Sequence, residues 1–537
     1  MRVSYLKNGK KYTTTTSNAD VTISENREGN HTLVKLLASE EITLAKAEVS
    51  YPCHINFKDL YFLNGYQSWT DTKEYKLSTQ LRDIKKSPHI ISNMFAMDRY
   101  GDATFYNYSI RKSHGYDVFY SKGKYESFIY NLNYKTAYLI IELIKDRSSI
   151  HLISDVKGLL VKKGQEVTIF DYCYYDNFEK GLYAFWDAFP IRNVKKILGY
   201  TSWYNYYQNI NEEIINRDLE ALDNRFDVFQ IDDGYETFVG DWLDVDPVKF
   251  PHGLKPIIDK IHSKGYKAGL WLAPFAAETK SKLFNEHPDW LRKDQKGKPI
   301  KAGGNWSGFY SLDLDNPEVI EYIKKCLTHY MDMGVDFFKL DFLYAAALPE
   351  YKGKTRCQVQ DEAYQLLRET LKNKIILGCG ANIINSYEHF DYLRVGPDVS
   401  LEYDDVFYMR MFHRERISTK VTLQNTIYRS FMNNHLFGND PDVFLLRDEN
   451  IKLSKEQRET LSKLNALFGS VLFTSDDIAT YDEEKKKLFD EVVSIFYNAH
   501  NRRYITKGNL VEISYELYGQ KKSMTYDIKK GVLLNAR

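Results

Sequence analysis

Five short apolar runs in the middle of the chain end in groups that can bind or move a proton. They are Gln230-Ile-Asp-Asp-Gly-Tyr235, Gly269-Leu-Trp-Leu-Ala-Pro274, Phe337-Phe-Lys-Leu-Asp-Phe-Leu343, Gly378-Cys-Gly380 and Arg394-Val-Gly-Pro-Asp398. Along a strand the side-chain period is two, so Phe337, Lys339 and Asp341 share one face and Phe338, Leu340 and Phe342 the other. The apolar set suits a face covered by helices, which leaves a lysine and an aspartate pointing inward. Desolvation offsets much of the attraction in a buried ion pair, so a Lys339–Asp341 pair favours chemistry over a pair that merely closes a sheet. Asp398 follows Gly396-Pro397, where an Asx turn or a helix cap is the plain alternative. If Asp341 and Asp398 flank one bond, they meet the demand of glycoside hydrolysis: one carboxylate attacks or stabilises the oxocarbenium-like centre, and the other protonates the departing oxygen.

Asp232 and Asp233 are consecutive, so at a strand end they diverge and can each reach a ligand hydroxyl; helix capping is the alternative use. A metal is disfavoured, because none of the 13 His stands in an H-x-H or H-E-x-x-H arrangement. An all-oxygen calcium site stays open, and no cofactor is expected. Trp69, Trp203 and Trp271 are candidates for walls on which a sugar face stacks, against the plain reading of buried core. Cys379 by itself reads as a small buried hydrophobe.

These residues need a scaffold that gathers strand ends. From about residue 195, apolar runs alternate with amphipathic stretches, and eight strands are predicted at 196–204, 227–233, 267–275, 335–342, 375–380, 392–398, 442–446 and 470–475. Helices are predicted at 211–224, 256–264, 317–333, 359–372, 454–468 and 483–496. Eight βα units fit a (β/α)8 barrel, whose active site lies at the C-terminal ends of its strands. An open doubly wound sheet is the alternative, but no G-x-G-x-x-G follows the first strand. Before residue 192 the pattern is of short strands such as 103–110, 138–144 and 166–170, with almost no long helix. After 499, segments 510–518 and 523–528 suggest a small β appendage. The expected division is therefore an N-terminal β-sandwich over 1–192, a catalytic barrel over 193–498 and a C-terminal β-domain over 499–537.

Composition narrows the partners. The 537 residues are 43% hydrophobic and 27% charged, ordinary for a globular chain with a large core. The 73 basic residues balance the 73 acidic ones, so no positive field draws the chain onto nucleic acid or anionic lipid. No run of about 18 apolar residues could span a bilayer, and the N-terminus has no signal-peptide core. The five cysteines show no disulfide framework. A cytoplasmic protein is expected.

Several of these segments resemble one family. Phe338-Lys-Leu-Asp-Phe-Leu-Tyr344, Arg394-Val-Gly-Pro-Asp398, Phe229-Gln-Ile-Asp-Asp-Gly-Tyr235 with Gly240-Asp-Trp242, Asn439-Asp-Pro-Asp442 and the upstream Asn64-Gly-Tyr-Gln-Ser-Trp69 look like the α-galactosidases of glycoside hydrolase family 36. The resemblance runs from about residue 60 to 480, in order. It implies an N-terminal β-supersandwich, a (β/α)8 TIM barrel, a C-terminal antiparallel β-domain and hydrolysis of terminal α-galactosides with net retention. It also implies Asp341 as nucleophile and Asp398 as general acid/base. Asp232 and Asp233 would hold the galactose O4 and O6 hydroxyls, Lys339 would donate to O3 and O4, and Arg394 would reach O2 and orient Asp398. Trp69, Trp203, Tyr204, Trp271 and Cys379 match positions lining the sugar pocket. The partner is then a small α-galactoside or oligosaccharide, and homo-oligomers are common in the family. An α-N-acetylgalactosaminidase, a galactosyl transferase on the same scaffold, and a non-catalytic sugar-binding protein remain alternatives.

Overall fold

Runs such as Ile-Leu-Gly-Tyr-Thr and Phe-Phe-Lys-Leu are buried along their whole length, the pattern of strands covered on both faces in a parallel sheet. Nine such segments form one sheet: β1 (Ile197–Thr201), β2 (Val228–Ile231), β3 (Lys267–Leu272), β4 (Phe337–Leu340), β5 (Ile375–Gly378), β6 (Tyr392–Arg394), β7 (Gly438–Asp440), β8 (Val443–Phe444) and β9 (Val471–Thr474). In a computed structural model, which describes residues 1–54, 56–81, 84, 96–349, 351–404 and 414–536, their order is β7-β6-β5-β4-β3-β2-β1-β9-β8. The two ends of that path, β7 and β8, are separated by only Pro441 and Asp442. The sheet is thus curled in the manner of a TIM barrel, with its edges meeting in one interrupted strand. The sequence places the seventh strand at 442–446, which contains β8 but misses β7, the first half of the interrupted strand. Pro441 has no N–H for a ladder and Asp442 takes φ 72°, so the pairing breaks where the pattern alone suggests a start.

Helices return the chain between strands. Helix Pro317–Met333 matches its predicted bounds: Asn316 caps it, Pro317 occupies the first turn, and Gly334 ends it in the left-handed region at φ 113°. Thr355 with Gln358 and Ser454 with Gln457 form capping boxes for Arg356–Leu371 and Lys455–Phe468. Helix Thr419–Tyr428 has no counterpart in the expectations. Nine of its ten residues are buried, all but Lys420, so it lacks the apolar stripe by which a surface helix is recognised.

Two seven-stranded antiparallel sheets precede the curled sheet, occupying residues 2–175. Strand His31–Ala38 buries alternate residues, and Val34 and Leu36 from one sheet meet Val3, Tyr5, Leu44 and Ile141 from the other in a common core. Residues 103–110 do not extend as a strand. The Asp102 carbonyl accepts from the amides of Phe105 and Tyr106, folding the segment into turns. A helix, Phe178–Ala188, also lies inside the region expected to be strands; Asn177 caps it and Phe185 anchors it. At the other end, His500–Lys507, Leu510–Leu517, Gln520–Asp527 and Val532–Ala536 form a four-stranded sheet, two strands more than foreseen. Among the described residues no helix is long and apolar enough to cross a membrane.

Candidate active site

Lys339 is the last inward residue of β4, and its Nζ donates to Asp232 Oδ2 at 2.8 Å, not to Asp341 as the strand pattern suggests. The reason is tertiary: the ends of β2 and β4 converge on the inside of the curled sheet, and a two-residue spacing within one strand says nothing about that. The same oxygen of Asp232 also accepts from Thr201 Oγ1 at 3.0 Å and Gln230 Nε2 at 2.6 Å. Burial works against the charge on Lys339, but the fields of Asp232 and Asp341 outweigh it and hold the amine above the ordinary lysine range.

Asp341 follows β4 directly. Its Oδ2 accepts from Trp271 Nε1 at 3.1 Å and its Oδ1 from the Phe342 amide at 2.8 Å. Phe342 turns that amide back by adopting φ 52°, a strained choice for an aromatic residue and one typical of functional turns. Both carboxylate oxygens are therefore held by rigid donors. Burial raises the pKa of Asp341; Lys339 opposes the rise and the charge of Asp398 adds to it.

Asp398 stands four residues beyond Arg394, with its side chain 34% exposed, and its Oδ1 accepts from Arg394 Nη1 at 2.9 Å. The same guanidinium donates from Nε to Asp440 Oδ2 at 2.9 Å and lies 2.8 Å from Asp442 Oδ1, an ion pair without hydrogen-bond alignment. Asp442 Oδ2 takes the Tyr204 hydroxyl and the Val399 amide. Burial pushes the Asp442 carboxyl up to about 7; Arg394 opposes this, while Asp398 and Asp440 add to it.

A second wall rises from Asp233. Its carboxylate accepts from Gln208 Nε2 at 3.0 Å and Trp306 Nε1 at 2.8 Å, and burial raises its pKa. Glu236 beside it is raised well above the glutamate range by burial and by Asp233. Trp306 turns at φ 54° between the strands Lys301–Gly303 and Phe309–Ser311 of a small sheet inserted between β3 and β4, and its ring meets Trp271 at 6.0 Å and Phe342 at 5.0 Å. Trp69 arrives from the N-terminal sheets. Its Nε1 donates to Cys379 Sγ at 3.2 Å, and its ring meets Phe342 edge-on at 5.2 Å.

Asp232, Asp233, Lys339, Asp341, Trp69, Trp271 and Cys379 thus form one side of a set whose other side is Arg394, Asp398 and Tyr204, the charge of Asp398 reaching Asp341. Trp203 differs: it opens the short helix after β1, half-buried, with its ring against Tyr207 at 5.2 Å, next in the chain to Tyr204. Trp306, Gln208, Asp440 and Asp442 belong to the set without having been singled out as site residues. The signals were a lone Trp inside Gly303-Gly-Asn-Trp-Ser-Gly308 and the two acids of Asn439-Asp-Pro-Asp442.

A sequence profile of the melibiase family matches residues 192–369, which hold β1 to β4 with Asp232, Asp233, Lys339 and Asp341. The match ends before β5, so it covers the first four strands of the curled sheet. Beyond it, the whole chain resembles family 36 α-galactosidases. An α-galactosidase from Thermus thermophilus, solved with p-nitrophenyl α-D-galactopyranoside, superposes with a TM-score of 0.72 at 25% identity, covering 97% of this chain and 98% of that one. The family 36 α-galactosidase AgaA from Geobacillus stearothermophilus shares the fold, with a TM-score of 0.63 at 14% identity over 94% of this chain and 72% of its own. In sequence, an Escherichia coli α-galactosidase is 29% identical over 182 residues, 32% of this chain. That match spans only 25% of the E. coli protein.

Proposed function

We propose that this chain is a retaining exo-α-galactosidase, with Asp341 as nucleophile and Asp398 as general acid/base. The observation that carries the reading is the contrast between two carboxylates that follow strands of one curled sheet. Asp341 is buried and fixed at both oxygens, as a group that must attack one atom needs to be, and Asp398 is open to solvent and hinged on Arg394. In the first step Asp341 attacks the anomeric carbon while Asp398 gives its proton to the leaving oxygen; in the second, Asp398 takes a proton from the water that displaces Asp341. The Trp271 and Phe342 donors aim the nucleophile and release one oxygen as the ester forms. Asp232 and Lys339, with Asp233 and Trp306, supply paired acceptors and donors for the ring hydroxyls, and Trp69 closes the apolar side.

The same reading divides the chain into a β-sandwich (1–192), a closed (β/α)8 barrel (193–498) and a β-domain (499–537). The substrate is a small α-galactoside, with no cofactor called for. All five cysteines are free, which suits a reducing compartment such as the cytoplasm. The test is hydrolysis of p-nitrophenyl α-galactoside beside its 2-acetamido analogue, with the first sugar released followed by NMR. Faster cleavage of the galactoside with α-galactose appearing first is expected. Preference for the acetamido sugar or β-galactose first would each overturn part of the assignment, and no turnover of either would favour a sugar-binding protein.

A further inference from the structure

Helix Thr419–Tyr428 and the arginine after it take no part in the chemistry above, yet their buried polar groups reach two segments of the site. Toward β6 and Asp398, Thr422 Oγ1 donates to the Pro397 carbonyl at 2.5 Å and Arg429 Nη1 to the Val395 carbonyl at 2.8 Å. Toward loop 64–72, Asn425 Nδ2 donates to the Thr70 carbonyl at 3.0 Å and Asn425 Oδ1 accepts from the Thr72 amide at 2.8 Å. Arg429 completes that second set. Its Nη1 also donates to the Ser68 carbonyl at 2.6 Å, its Nε to Asn64 Oδ1 at 3.0 Å, and its Nη2 to Thr72 Oγ1 at 2.9 Å and the Gln67 carbonyl at 3.3 Å.

All five N–H donors of a fully buried guanidinium are used, every acceptor is neutral, and among the described residues no carboxylate pairs with it. Burying a cation without a paired anion is costly. What the arrangement supplies in return is a fixed planar fork, which a flexible chain with a point charge cannot provide. One nitrogen of that fork holds both the carbonyl that precedes Trp69 and the carbonyl three residues before Asp398. We propose that Arg429 is a positioning residue that fixes the Trp69 wall and the Asp398 loop relative to each other. The inference rests on the reading of Asp398 as acid/base and goes beyond it in tying that group to a loop from the other end of the chain.

The test is Arg429→Lys, which keeps the charge but offers three donors in place of five. Activity is read on methyl α-galactoside, a poor leaving group, and on 2,4-dinitrophenyl α-galactoside, which needs no acid. With Asp398 displaced, kcat/KM should fall about 10- to 100-fold on the first substrate and much less on the second, because misplacement by about 1 Å costs that much. Equal losses on both substrates, or wild-type values, would overturn the proposal. Should this variant not fold, the two sides can be cut singly. Thr422→Val should steepen the leaving-group dependence and Asn425→Ala should raise KM without steepening it; absence of both effects counts equally against the idea. A readout without substrate separates this from the functional reading. Amide exchange should quicken together at Ser68, bonded to Ala381, and at Val399, bonded to Asp442, in Arg429→Lys. Quickening at only one of them refutes the coupling, whereas a wild-type chain that cleaves neither galactoside defeats the functional reading alone.

Discussion

At the floor of the site Asp341 is 8% exposed and both its oxygens accept from rigid donors; at the rim the Asp398 side chain is 34% exposed and a single oxygen is held, by an arginine shared with two other acids. The floor also holds the Lys339–Asp232 pair, closed off by Thr201 and Gln230. Identical functional groups are thus given opposite surroundings by the strand ends that carry them. On the proposed roles, the group that attacks one carbon benefits from immobility, and the group that gives and takes a proton benefits from water.

The sharpest way to break this contrast is to remove each carboxylate in turn. Asp341→Gly should lower kcat by about 10⁴-fold or more on every substrate, since no other group attacks from that face. Added azide should restore turnover from the vacated side and give the β-galactosyl azide. Asp398→Ala should cost about 10²- to 10⁴-fold on poor leaving groups and little on activated ones, and azide should intercept the ester to give the α-galactosyl azide. The same azide anomer from both variants, read by NMR, would mean that floor and rim do not differ in role.

Smaller effects refine the comparison. Lys339→Met strands a buried carboxylate, so urea denaturation should show a loss of about 3 to 5 kcal/mol, far more than any change at the half-buried Asp398. Trp69→Ala should lower kcat/KM by up to about tenfold through lost stacking, with the thermal transition still cooperative. The least change concerns pH. Burial and the Asp398 charge raise the pKa of Asp341, so the acid limb of kcat/KM lies above the ordinary aspartate value of about 3.9. Activity is lost as pH falls through that raised value. Lys339 opposes that rise, so Lys339→Met should move the limb to higher pH on an activated substrate. A limb that moves to lower pH would show that the lysine does not favour the carboxylate.

The strand ends were legible because function puts charge where an apolar run should continue: Lys339 interrupts Phe-Phe-Lys-Leu, and Asp232, Asp341 and Asp398 each follow such a run. Who pairs with whom was not legible. Lys339 chooses Asp232 across two strands, a contact fixed by the curl of the sheet and by no local spacing. Helix Thr419–Tyr428 escaped notice for a related reason, since burial on every side erases the periodicity that marks a surface helix. Trp306 lay in a glycine-rich insertion whose left-handed turn, not its sequence motif, aims the indole at Asp233.

The fork of Arg429 also sets a timetable. Asn64 and Arg429 are 365 residues apart, so a ribosome works for about 20 to 70 s after making the Trp69 loop before it makes the group that seats it. Until then the carbonyls of Gln67 and Ser68 lack the Arg429 donors, although Cys379, the partner of the Trp69 indole, is made 50 residues earlier. A chain cut short before residue 429 therefore lacks the clamp that joins its first-made wall to its acid loop. On the roles proposed above, the wall and the acid loop are joined only once residue 429 has been made, long after Trp69 itself.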